Sequence, residues 1–116
     1  MTSLGSTPSF DVAVDRRDGR LVAAPSGELD LATAPLLIAA LRAHDDCDQL
    51  VIDLRGLSFM DSSGLRLLVS EHDRAERGGY ELALVRGGPE VDRLLRLTRL
   101  DETLPFVDAD AIAGLD

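Results

Sequence analysis

The chain has no stretch of apolar residues near the roughly 20 needed to cross a bilayer, and its polar start lacks the charged and apolar regions of a secretion signal. These absences argue against a membrane protein and lead to the expectation of a cytoplasmic one. A single cysteine, Cys47, excludes a disulfide framework and a thiolate metal cluster. Lysine is missing altogether, so all 12 basic residues are arginine, against 21 acidic residues. The net charge of −9 repels nucleic acid and anionic membrane, because phosphate contacts would be unfavourable. No internal repeat or linker breaks the 116 residues. With 45% hydrophobic residues the chain can bury one core, so residues 10–116 read as one domain behind a flexible tail over residues 1–9 that ends at Pro8.

Within that domain, Phe10 to Val14 alternates apolar and polar residues as a half-solvated strand does. Asp18-Gly19 is a two-residue hairpin turn, and Arg20 to Pro25 is the returning strand, which Pro25 should end or bulge. Thr33 is placed as an N-cap and Pro35 in the first turn of a helix reaching about Ala43, with Leu37, Ala40 and Leu41 as its apolar stripe. Leu50 to Leu54 reads as a buried strand, and Leu65, Leu68 and Val69 recur at helical spacing until Gly78-Gly79. Glu81 to Val85 is a further strand. Gly87-Gly88-Pro89 opens a helix with Val91, Leu94 and Leu95 inward, and Leu104 to Val107 adds an edge strand. Asp108 can cap a last short helical piece. The order β-β-α-β-α-β-α-β with a short C-terminal helical segment implies an α/β fold, a single mixed sheet packed against helices.

The junction Phe59-Met60-Asp61-Ser62-Ser63-Gly64-Leu65 places two hydroxyls where a helix begins. Asp and Ser are good N-caps, each contributing about 1 kcal/mol, so capping accounts for all three polar residues. A nucleophile fits poorly: the pattern is not Gly-x-Ser-x-Gly, and the only histidines, His44 and His72, have no context as a triad base. A phosphorylation target is the third reading, because helix N–H groups tolerate a phosphate that would sharply change the surface.

Asp53-Leu54-x-x-Leu57-Ser58-Phe59-Met60-Asp61-Ser62-Ser63-Gly64-Leu65 resembles the signature of bacterial anti-sigma factor antagonists, the small stand-alone members of the STAS domain family. Gly27-Glu28-Leu29-Asp30, ahead of an Ala/Pro-containing helix start, resembles that family's other motif, and the likeness spans about residues 10 to 107. The resemblance implies a STAS-like fold and partner switching in stress response or sporulation. The unphosphorylated form would bind an anti-sigma factor that is also a serine kinase, releasing a sigma factor. That kinase would supply Mg-ATP and phosphorylate a serine at the helix start, and a serine phosphatase would reset it. By motif position Ser63 is the expected target, with Ser62 the alternative. Asp30, Asp61, Ser62, Ser63, Gly64 and Leu65 are the expected partner-binding residues, the bare Gly64 letting a kinase approach. No catalytic residue, metal or resident cofactor is implied. The alternatives are a STAS domain controlling a target other than a sigma factor and, from the enzyme class, a small serine hydrolase.

Weaker features have plainer readings. Arg93, Arg96 and Arg99 suggest a basic stripe that is most simply a solvated helix face. His72 reads as a partly buried packing residue and Cys47 as inert. Asp45, Asp46 and Asp48 lack the regular ligand spacing of a cation site, and Gly87-Gly88-Pro89 lacks the lysine of a phosphate loop. Residues 108–116 are too few for the full final helix expected of the family.

Overall fold

The computed structural model describes residues 2–7, 9–43 and 46–115, with side chains from residue 9 onward. Asp18 and Gly19 both take positive φ, 50° and 82°, as a primed hairpin turn requires. They join β2 (Phe10–Arg17) to β3 (Arg20–Leu29) in a register from Arg17 opposite Arg20 to Phe10 opposite Gly27. β3 runs past Pro25 rather than ending there. Counting from the turn, Val12 and Pro25 form a non-hydrogen-bonded pair, so the missing N–H would face away from β2. On that side β3 pairs in parallel with β4 (Gln49–Asp53) through Arg20–Ala23, then with β5 (Gly56–Met60) through Ser26–Leu29. Pro25 falls between the two partners, where no ladder bond is needed. The irregularity comes two residues later, between Gly27 and Glu28.

Two strands were not expected. β5 follows a short turn at Leu54-Arg55 and runs in the same direction as β4, and its burial does not alternate, which hides it from periodicity. The segment read as a tail contains β1 (Thr2–Thr7), antiparallel to β2. It satisfies the backbone groups that β2 would otherwise leave open as a sheet edge. Met1 and Pro8 lie outside the described residues. With β6 (Glu81–Val85) and β7 (Phe106–Val107), the sheet has the order β1-β2-β3-β4-β6-β7, and β5 extends β3 beyond the end of β4. The expected α/β architecture, one mixed sheet against helices, is the one found.

Strand alternation sorts the core. Val12, Leu21, Ile52 and Leu84 meet Leu37 and Leu41 of α1 (Ala34–Arg42), Leu68 of α2 (Ser62–Gly78), and Val91 and Leu95 of α3 (Pro89–Leu97). Val22, Val51 and Val85 form a second cluster with Ile112. The C-terminal piece is a 3-10 turn over Ala109–Ala111 rather than a full helix, yet it suffices to bury Ile112. Arg99, at φ 60°, breaks the chain between α3 and the one-turn α4 (Leu100–Thr103). The supposed arginine stripe is therefore not one helix face: Arg96 pairs with Asp92 at 2.6 Å, and Arg99 lies past the helix end.

Glu71 is only 1% exposed, and sits at a core position of α2 between Leu68 and Ala75. Arg42, at the end of α1, donates to both its carboxylate oxygens at 3.1 and 2.6 Å. This bidentate pair holds the two helices in register.

Candidate functional site

β3 and β5 are parallel, with Leu29 opposite Met60, so the chain leaves both strands side by side. The next residues are Asp30 and Asp61. The Asp61 N–H donates to the Leu29 carbonyl at 3.2 Å, fixing the two departures together. Each carboxylate then organises a helix start. Asp30 Oδ1 accepts from the N–H groups of Ala32 and Thr33 at 3.0 and 3.1 Å, while its carbonyl accepts from Ala34 at 2.8 Å. Thr33 occupies the N-cap position of α1 but does not cap through its side chain. Its hydroxyl points back, donating to the Glu28 carbonyl at 2.7 Å and accepting from the Asp30 N–H at 2.9 Å.

Asp61 is the N-cap of α2, its extended backbone giving way to helix while Oδ1 accepts from the Ser63 N–H at 2.8 Å. Capping thus belongs to Asp61, which leaves the serine hydroxyls uncommitted. Ser62 is exposed and Ser63 half-buried, and neither hydroxyl has a hydrogen-bond partner among the described residues.

Gly64 does not leave an opening on the surface. A Cβ there would meet Met60 Cγ at 2.3 Å and Leu29 Cδ2 at 3.1 Å, so its bare face turns inward onto the ends of β5 and β3. The glycine allows α2 to sit close to those strands, which seats the serines beside Asp30 and Asp61. Leu65 is likewise buried. Of the six residues expected to meet a partner, Ser62 is exposed, Asp30, Asp61 and Ser63 are half-buried, and Gly64 and Leu65 are not on the surface.

Large apolar side chains flank the exposed members. Leu31, directly after Asp30, is 74% exposed, and Phe59, two residues before Asp61, is 47% exposed. Phe59 and Met60 line a groove with Glu90, Arg93, Leu94 and Leu97 of α3. Leu97, at the helix end, is 71% exposed. The sequence alone gave no signal for Leu31 or Leu97, and Phe59 stood inside the motif without its exposure being evident.

The rest of the surface offers little competing chemistry. His72 lies ten residues along α2 from Ser62, about 15 Å at 1.5 Å per residue. Its side chain is partly buried, as expected, with Nε2 3.2 Å from Glu76 Oε1 on the exposed side of the helix. His44 and Asp45 lie outside the described residues. Asp46 meets Arg16 at 2.5 Å, and no three His, Cys, Asp or Glu side chains gather as metal ligands among the described residues. Burial pushes the Cys47 thiol up, which suppresses its reactive thiolate. A cleft at the far end of α2 is lined by Asp46, Cys47, Asp48, Arg74, Arg77 and Tyr80. No helix among the described residues is long and apolar enough to cross a membrane.

Comparison with known proteins places this arrangement. A family model described as the STAS domain matches residues 11–111. An anti-sigma factor antagonist from Mycobacterium paratuberculosis has a crystal structure 35% identical in sequence, with a TM-score of 0.80 over 95% of this chain and 97% of that one. The anti-sigma F factor antagonist of Paenibacillus polymyxa is 29% identical over 90% of this chain and 92% of its own length. The Bacillus cell fate determinant SpoIIAA, solved in its phosphorylated form, is 20% identical, with a TM-score of 0.65 over 84% of this chain and 90% of that one, a likeness of fold.

Proposed function

The chain belongs to the STAS domain family, and on that premise we propose that it is an anti-sigma factor antagonist switched by serine phosphorylation at the start of α2. Relatives carrying the antagonist's name support the first half, and a fold relative in a phosphorylated form supports the second. The observation that carries the reading is the exposed, uncommitted Ser62 hydroxyl on a helix start already capped by Asp61 and flanked by Leu31 and Phe59.

In this reading the unmodified protein docks its apolar rim and Ser62 against an anti-sigma factor that is also a serine kinase, and a sigma factor is released. The kinase brings Mg-ATP; this chain is the substrate and not the enzyme, acting in the cytoplasm, and a serine phosphatase reverses the step. Motif position favoured Ser63, but accessibility favours Ser62, because a kinase must reach the hydroxyl and Ser63 is half-buried. The phosphate adds about −1.5 to −2 charge at pH 7. The helix dipole and N–H groups accommodate it, so the fold survives. Beside Asp30 and Asp61, and inside a rim that a partner must desolvate, the same charge opposes docking.

The test is incubation with the anti-sigma factor kinase and Mg-ATP, followed by peptide mass spectrometry. Ser62→Ala should lose the phosphate and Ser63→Ala should keep it. Phosphate found on Ser63 of the unaltered protein would reject the choice of serine; phosphate on neither would reject the switch.

A further inference from the structure

Arg66 lies four residues beyond Ser62, one turn along the same face of α2, and both side chains are exposed. Many of the arginines have carboxylate partners: Arg16 with Asp46, Arg42 with Glu71, Arg55 with Asp53, Arg86 with Asp108 and Arg96 with Asp92. Arg66 has none among the described residues. Asp73, two turns further along α2, lines the same cleft as Arg66 but forms no ion pair with it. The neighbours of Arg66 at three and four residues are Ser62, Ser63, Val69 and Ser70, none of them acidic. It is also the only cation in the first two turns of α2.

We propose that Arg66 is the intramolecular receptor for a phosphate on Ser62, closing onto it across one helical turn. The inference rests on Ser62 being a phosphorylation site. An anion four residues before a cation is the favourable order on a helix, and it agrees with the helix dipole. A guanidinium can meet phosphate oxygens with two parallel N–H donors. Modification then does two things together. It adds an anion beside Asp61, and it withdraws the one uncommitted cation at this end of α2. The pairing also favours the doubly charged phosphate near neutral pH, against Asp61 and Asp30, which favour the singly charged form.

Phosphoserine placed at position 62 of the full chain by site-specific incorporation allows the pairing to be tested without a kinase. The phosphorus NMR shift is followed against pH in low salt for the otherwise unaltered protein, for Arg66→Gln and for Arg66→Lys. The second ionisation of the phosphate is expected to fall about 0.3 to 0.5 pH unit lower with Arg66 than with Gln. Lysine should restore part of the difference, and roughly 1 M salt should remove most of it. Equal midpoints for Arg66 and Gln in low salt would overturn the proposal. If the midpoints differ but the kinase never modifies Ser62, the pairing stands and the switch reading falls.

Discussion

The two ends of α2 have the same neighbours in kind, charged and apolar groups at the sheet's flank, but use them in opposite ways. Towards the C-terminal end the charges face each other: Glu71 is buried against Arg42, and Gly79 closes the helix in the left-handed conformation, donating to Ala75 at 2.9 Å. Towards the N-terminal end the packing is as tight, with Gly64 against Met60, but the polar groups beyond the cap are left open to a second molecule. One end holds α2 to the body of the protein. The other is held rigid so that Ser62 can be presented at a fixed place.

The largest effect should come from breaking the anchored end. Arg42→Ala leaves Glu71 buried without its bidentate partner and should cost about 3 kcal/mol by urea denaturation. A loss below about 1 kcal/mol would show that the far end is not the anchor. At the presenting end, Gly64→Ala forces Met60 aside; with part of the strain offset by alanine's helix preference, the net loss should be about 1 kcal/mol. A double-mutant cycle with Met60→Ala should show coupling between the two positions. Additive effects would place the strain elsewhere. Asp61→Ala removes the cap on the Ser63 N–H, for about 1 kcal/mol in the same assay. Ser62→Ala should change stability by less than about 0.5 kcal/mol, since the exposed hydroxyl has no partner among the described residues. The comparison would fail if Ser62→Ala were as destabilising as Asp61→Ala.

The same contrast explains what could be read from the residues. The hairpin was legible because Asp18-Gly19 favours one turn type. The three longer helices were legible from apolar spacing bounded by Thr33-Pro35, Asp61-Ser62 and Gly88-Pro89. β5 was not, because Gly56-Leu57-Ser58-Phe59-Met60 follows neither period; its identity as a strand comes from the free side of β3 beyond β4. β1 is likewise defined by the edge it covers rather than by its own polar residues. Glu71 carried a faint signal, an acid standing three residues after Leu68 and four before Ala75, where the helix pattern calls for an apolar side chain. At the site, the resemblance of the two motifs to the family grouped Asp30, Asp61 and the serines, whereas the residue types by themselves pointed only to a capped helix start. They could not show that Gly64 faces inward or that Asp61 leaves both hydroxyls uncommitted, because those facts depend on how closely α2 meets Met60 and Leu29.

The most direct test of the account is the affinity of the anti-sigma factor for unmodified protein and for protein carrying phosphoserine at position 62, measured by calorimetry alongside each form's thermal midpoint. A phosphate that acts by charge and occlusion should weaken binding about 100-fold or more while leaving the thermal midpoint nearly unchanged. Equal affinities would contradict the account, as would a loss of binding that came with unfolding.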